Sequence, residues 1–312
     1  MVTCEKCGKK LEEDARYCSY CGTPTSEATP SEPSQIQTAE TPSVESPQPE
    51  QAPLVETKPP SRGRRIGFVL ILLIAIAVGA FSVYQLRPRV FSTQPTQTVM
   101  GVDWSGYTVS TSLKSPQPTV TEVSGTWVVP NVITTSGNSF SAVWVGIGGQ
   151  FDQSLVQMGT EQDVTNGQIG YSAWYELLPA YPVYLTMSVA PGDRISADIK
   201  LLDTSANTWS ISIRDVTNGQ SYQTSVQYDS SRLTAEWIVE RPTIGNRVGV
   251  LANFGLVTFT DCKAVIGGKA GGLLDFPSSA FIMNNRQNNP LVAVSKTSTD
   301  GTSYTVTFES AR

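Results

Sequence analysis

Hydrophobic and polar positions follow three different rules along this chain of 312 residues. Residues 66–84, IGFVLILLIAIAVGAFSVY, carry no charge, and a continuous apolar run of roughly 20 residues is what a membrane-crossing helix requires. A buried globular helix would show polar positions at helical spacing, and a signal-peptide core would be shorter and nearer the N-terminus. The run predicts a single transmembrane helix over 66–86. Ahead of it, residues 24–65 mix nine prolines with Ser, Thr, Glu and Gln and hold no aromatic residue. Such a stretch buries too little apolar surface to offset its ordering entropy, so it reads as a disordered linker. Beyond the apolar run, after a juxtamembrane linker over 87–103, the period falls to two. TWVVP near Trp127, SAVWVGI through Trp144, GYSAWYELL through Trp174, PVYLTMSVA, RISADIKLL, TWSISIRDV, SYQTSVQY, TAEWIVE, VAVSKTS and SYTVTFES read as strands. Asn218-Gly219 and Asp300-Gly301 sit between alternating runs, a hairpin signature. No amphipathic helical period competes, so residues 104–312 predict an all-β, antiparallel two-sheet β-sandwich.

Cysteine spacing adds a further module. Cys4-x-x-Cys7 and Cys18-x-x-Cys21 are separated by ten residues, with Gly8 and Gly22 following each pair. Two such knuckles suit tetrahedral Cys4 zinc, so residues 1–23 resemble a small zinc ribbon whose closed ligand set makes the metal structural. Topology follows from charge. Lys58, Arg62, Arg64 and Arg65 flank the apolar run on its N-side against Arg87 and Arg89 on its C-side, which places the N-terminus in the cytoplasm. Thiolate ligands also favour a reducing compartment. The expected product is a single-pass membrane protein with its β domain outside the cell. A cytoplasmic protein contact is expected of the ribbon.

The net charge of −5 and the balanced charges of the ribbon speak against nucleic acid. More restrictive is the absence of histidine. It removes Ser-His-Asp and Cys-His nucleophile systems and HExxH zinc hydrolases. Any hydrolysis must run on carboxylates, amides, hydroxyls or backbone donors, and no catalytic cofactor is expected. Carboxylates inside apolar strands are then the candidates: Glu176 in AWYELLP, and Glu236 and Glu240 in TAEWIVERP. Strand alternation puts Glu236, Ile238 and Glu240 on one face, which is either solvated or a cleft. Arg241 beside them is a ready charge partner. Cys262 stands alone in the β domain.

Taken in order, Trp104-Ser-Gly-Tyr107, TWVVP, WVGIGG (144–149), LVQMGT (155–160), YSAWYELLP (171–179), Gly192-Asp193 and AEWIVE (235–240) resemble the glutamic peptidases called eqolisins. The resemblance spans roughly 104–262. It implies a concanavalin-like sandwich of two seven-stranded sheets and an acid, pepstatin-insensitive endopeptidase acting on proteins or peptides. The catalytic glutamine of that family falls on Gln157 and its catalytic glutamate on Glu240. Trp144 falls on a tryptophan lining the cleft and Glu176 on a supporting carboxylate; Trp174, Tyr175 and Glu236 of the same blocks are expected to bind substrate or support the pair. Two positions depart from the pattern, Gly148 and Ser172, where the family usually carries acids. With an ordinary carboxyl pKa of about 4.3, Glu240 would be a working base only in acid.

Two other readings use the same residues. Glu176 and Glu240 would also suit the acid and nucleophile of a glycosidase, with exposed tryptophans stacking on sugar; that reading gives Gln157 no role. A catalytically inactive surface-binding domain would follow from the losses at Gly148 and Ser172.

Overall fold

The computed structural model describes residues 2–3, 10–11, 94 and 96–312 except 135–136. Cys4, Cys7, Cys18 and Cys21, the linker over 24–65 and the apolar run over 66–86 lie outside these residues. The chain divides into two units, Met1–Val90 and Phe91–Arg312. Of the first, strands β1 (Val2–Thr3) and β2 (Lys10–Leu11) are described, paired antiparallel. Among the described residues no helix is long and apolar enough to cross a membrane.

The second unit is built from two eight-stranded sheets. One, here the site sheet, runs β3 (Thr96–Gly101), β18 (Ser278–Met283), β4 (Trp104–Ser110), β13 (Thr234–Glu240), β6 (Ser139–Gly148), β7 (Leu155–Thr165), β8 (Gln168–Leu177) and β9 (Val183–Tyr184). The back sheet runs β12 (Ser221–Gln227), β11 (Thr208–Asp215), β10 (Arg194–Asp203), β5 (Val120–Val128), β16 (Leu256–Ile266), β20 (Tyr304–Phe308) and β19 (Val292–Val294), with β17 (Lys269–Gly271) also paired to β16. A small hairpin, β14 (Thr243–Ile244) with β15 (Arg247–Val248), follows β13 directly. Each sheet thus holds one strand more than the seven expected. The site sheet gains β3, within residues assigned to linker, which pairs with β18 in parallel. All other strand pairs are antiparallel.

Both hairpin signals are met. Gly219 (φ +83°) turns β11 into β12, and Gly301 (φ +71°) lies between β19 and β20. Of PVYLTMSVA only Val183 and Tyr184 are strand.

Val143, Val145, Val156, Met158, Trp237 and Val239 of the site sheet pack against Val123, Trp127, Ile195, Ile199 and Phe259 of the back sheet. Indole N–H groups inside this core are satisfied: Trp127 donates to Thr160 Oγ1 (3.0 Å) and Trp237 to the Ser124 carbonyl (2.8 Å). The other face of the site sheet is covered as well. There Ala142, Trp144, Leu155, Trp174 and Ile238 form a second apolar cluster, joined by Trp104 and Leu178. Trp104 meets Trp144 edge-on with centroids 5.1 Å apart, a geometry that contributes about 0.5–1.5 kcal/mol beyond area burial.

Trp144 fits there because two neighbours lack side chains. A Cβ on Gly159, its cross-strand partner, would lie 2.5 Å from Trp144 Cβ and 2.2 Å from the Val143 carbonyl oxygen. One on Gly146 would lie 2.8 Å from the indole ring. Replacing Gly159 with Ala is expected to destabilise the domain by about 3 kcal/mol, the upper end of an overpacking cost, read from the denaturant midpoint. An unchanged midpoint would refute this packing.

Candidate active site

The outer face of the site sheet forms the floor of a cleft of about 650 Å³. Gln157, Trp174, Glu176 and Glu240 all line it, although they come from three strands. The register explains how. Gln157 on β7 lies opposite Gly146 on β6, and Gly146 opposite Glu236 on β13. Glu240 lies opposite Ala142, and Ala142 opposite Glu161. Gln157 and Glu240 therefore share a face on a diagonal, with the row Ile238, Trp144, Gly159 and Trp174 between them.

Trp144 is fully buried beneath the cleft rather than on its wall, which corrects the expectation that it lines the opening. Its Nε1 donates to Glu240 Oε2 at 2.7 Å. Burial pushes the Glu240 carboxyl up to about 8, and the nearby charges of Asp103 and Glu176 push the same way. The Trp144 N–H, and to a smaller degree that of Trp104, pull it back. The ordinary carboxyl pKa expected from the sequence is therefore not met. An indole layer that excludes water disfavours the charged form more than two N–H donors favour it.

Gln157 is 3% exposed. Its Nε2 donates to Glu176 Oε2 at 2.6 Å, across a direct register pair, while Oε1 has no partner among the described residues. Glu176 is itself raised by burial, partly offset by that hydrogen bond. The arrangement leaves one amide hydrogen of Gln157 free for a ligand.

Glu236 and Tyr175 do not join them. Glu236 shares the face of Glu240 but is fully buried and lies outside the cleft lining. Thr234 Oγ1 donates to it at 2.8 Å, and burial raises its carboxyl well above the usual range. Tyr175 alternates to the opposite face, where it stacks on Tyr222 at 6.1 Å and packs against the main core. Cys262 is buried in that core, and Arg241 serves Asp103 electrostatically.

The two departures differ in kind. Gly148 has φ +94°, and a Cβ there would lie 2.1 Å from the Ser154 carbonyl oxygen. The last residue of β6 thus has no room for an acid side chain. Ser172 lies opposite Glu161, and it does not line the cleft. Acids instead enter from positions the sequence reading passed over: Asp103, Glu161 and Asp163 all line the cleft. For Glu161 and Asp163 the signal was the period of two continued along β7 from Gln157, obscured because charged residues near a strand end read as solvated; Asp103, just ahead of β4, had no such signal. Among the described residues no cluster suited to hold a metal ion is present.

Burial raises the carboxyls of Asp103, Glu161, Asp163, Glu176, Asp198, Glu236 and Glu240. A group with a raised folded pKa keeps its proton in the folded state after the unfolded chain has lost it. The folded state then binds more protons between about pH 4 and pH 8, and stability falls as pH rises through that window. Thermal midpoints are expected to be highest near pH 4 and to drop by several degrees toward pH 8. A midpoint rising over that interval would contradict the burial described.

A sequence model of the Peptidase A4 family matches residues 102–308, and one of a zinc-ribbon domain matches residues 3–25. Aspergillopepsin-2 of Aspergillus niger is 33% identical over 174 residues, which make up 54% of this chain and 59% of that protein. The chain thus spans under two thirds of that curated relative. Among solved structures, scytalido-glutamic peptidase with a transition state analog inhibitor is 25% identical with a TM-score of 0.56, covering 67% of this chain and 98% of its own. SCP-B, an eqolisin family member in complex with the tripeptide Ala-Ile-His, shares the fold at 24% identity and a TM-score of 0.53, again covering 67% and 98%.

Proposed function

The chain belongs to the Peptidase A4 family, and from that membership we propose that it is a glutamic endopeptidase whose reacting pair is Gln157 and Glu240. The observation that carries the proposal is the convergence of these two residues on one cleft, each with a dedicated partner: Glu176 for the Gln157 amide, Trp144 for the Glu240 carboxyl. Glu240 as carboxylate takes a proton from a water, whose oxygen bonds to the scissile carbonyl carbon. The free Nε2 hydrogen of Gln157 donates to the developing oxyanion. Glu240 then returns the proton to the departing amide nitrogen as the C–N bond breaks, and the free acid and amine leave.

Acid working conditions are part of the proposal, and their support is the proton balance of the cleft rather than an ordinary pKa. At neutral pH, Asp103, Glu161, Asp163, Glu176 and Glu240 would crowd negative charge into one poorly solvated space. As pH falls and its neighbours take up protons, the charge on Glu240 meets less repulsion, but burial, the largest cause of its raised pKa, persists, so the base works in acid through a minor ionised fraction. Glu240 is the base in its ionised form, so its share of that form sets the low-pH limit of activity.

We further place the cleft outside the cell, tethered through residues 66–86, with the N-terminal module in the cytoplasm holding a structural zinc on Cys4, Cys7, Cys18 and Cys21 and meeting a protein partner there. The charge asymmetry around the apolar run and the match to a zinc-ribbon domain support this arrangement. Substrates are then proteins or peptides near the cell surface.

The full-length protein is expected to cleave an unfolded protein substrate in acid with pepstatin present. Glu240→Gln should abolish turnover, and Gln157→Ala should lower kcat roughly 100- to 1000-fold, the scale of a lost oxyanion donor. Both variants should keep the wild-type circular dichroism spectrum. A Gln157→Ala protein with full proteolytic activity would defeat the dyad, and a folded wild-type protein that cleaves a glycoside but no protein would favour the glycosidase reading.

A further inference from the structure

The cleft carries more recognition chemistry than the proposed reaction uses. Beside the diagonal of Gln157 and Glu240, the outer face of β7 continues with Glu161 and Asp163, and Tyr184 of β9 donates its hydroxyl to Glu161 Oε2 at 3.3 Å. Asp163 Oδ1 is shielded from water and has no hydrogen-bond partner among the described residues. Among the described residues the cleft lining includes no Lys or Arg to compensate these acids. The groups facing them across the cleft, Glu240 from β13, Glu176 from β8 and Asp103 ahead of β4, are all acidic. A carboxylate pair left without a cation in a water-poor site is expensive, and the missing partner is one that a bound chain can bring.

Independent orphans mark the same cleft as made for a polypeptide. Among the described residues, Trp174, 5% exposed, finds no acceptor for its Nε1, and Gln157, 3% exposed, finds no donor for its Oε1. Both residues line the cleft. One buried donor and one buried acceptor on neighbouring strands match the alternating C=O and N–H groups of an extended main chain. The path from the reacting group to the acid pair is also open. Glu240 and Glu161 are separated only by Ala142, two strand spacings or roughly 9–10 Å in all. A long aliphatic stem can lie over the Ala142 methyl while its charged head reaches the acids.

We propose that Glu161 and Asp163 form a specificity subsite of this cleft for a lysine or arginine side chain of the substrate close to the cleaved bond. The proposal rests on the peptidase reading and adds the substrate class. Burial raises both carboxyls; the Asp163 charge raises Glu161 further, and the backbone N–H of Ser141 pulls Asp163 back in part. The preference for a cation therefore strengthens as pH rises from 4 toward 7, while selection against an uncharged stem is weak in strong acid.

The test uses the full-length protein and peptides of one sequence, in which lysine or its uncharged isostere norleucine occupies each of the three sites on either side of the cleaved bond. At one site the ratio of kcat/KM for lysine over norleucine is expected to reach roughly tenfold by pH 7, as a charge-assisted contact provides, and to shrink toward pH 4. The same ratio should fall to near one in the Glu161→Gln/Asp163→Asn protein. A wild-type ratio near one at every site and pH would overturn the subsite, and this reading needs no variant to fold. A ratio that persists in the double variant would overturn it equally. Failure of the peptidase reading shows separately, as no cleavage of any peptide. In that case titration calorimetry of the Glu240→Gln protein decides the subsite: tighter binding of the lysine peptide supports it, and equal affinities refute it.

Discussion

An indole placed on the wet face of a β-sheet governs this domain. Trp144 projects away from the main core, yet it is fully buried, because Trp104, Leu155, Trp174 and Ile238 close over it and because Gly146 and Gly159 leave its ring room. The result is a sheet with apolar material on both sides and a cleft whose floor is hydrocarbon. Glu240 lies at the edge of that floor and takes the indole N–H. The same ring that holds the carboxyl in place strips water from it, so orientation and pKa displacement have one cause. Packing here is inseparable from chemistry: anything that loosens the ring changes the acid.

The cost of the arrangement is an accumulation of carboxyls with few cations near them. A protein meant for neutral surroundings would relieve such a cluster with lysine or arginine. This one leaves Asp103 with Arg241 as its cationic neighbour and leaves Glu161, Asp163, Glu176 and Glu240 to solvent, protons and ligands. Protons are the relief always available, which makes acid both the more stabilising condition and the one in which the cleft tolerates a single working charge. The Gln157–Glu176 pair completes this economy. A buried amide satisfies a buried carboxyl at one end and keeps its other polar atom for whatever enters.

Much of this was legible in the residues. Period-two alternation with the turn pairs Asn218-Gly219 and Asp300-Gly301 determined an antiparallel β protein, because strand faces and φ > 0 positions are local requirements. The absence of histidine confined any hydrolytic chemistry to carboxylates and amides. The parity of TAEWIVE put Glu236 and Glu240 on one face, and the block order singled out Gln157 and Glu240. Other features needed the fold. Parity assigns a face but not its covering, so Glu236, sealed off, and Glu240, lining the cleft, looked equivalent until the second apolar layer was in place. The neighbours of Tyr175 and Trp144, the pairing of Gln157 with Glu176, and the entry of Glu161 and Asp163 into the cleft all depend on strands far apart in sequence. Register between such strands is set by global packing rather than local propensity. Residue order alone thus set the chemical vocabulary and the alternation of faces. The tertiary structure decided which face stayed dry, and with it which carboxyl could be tuned.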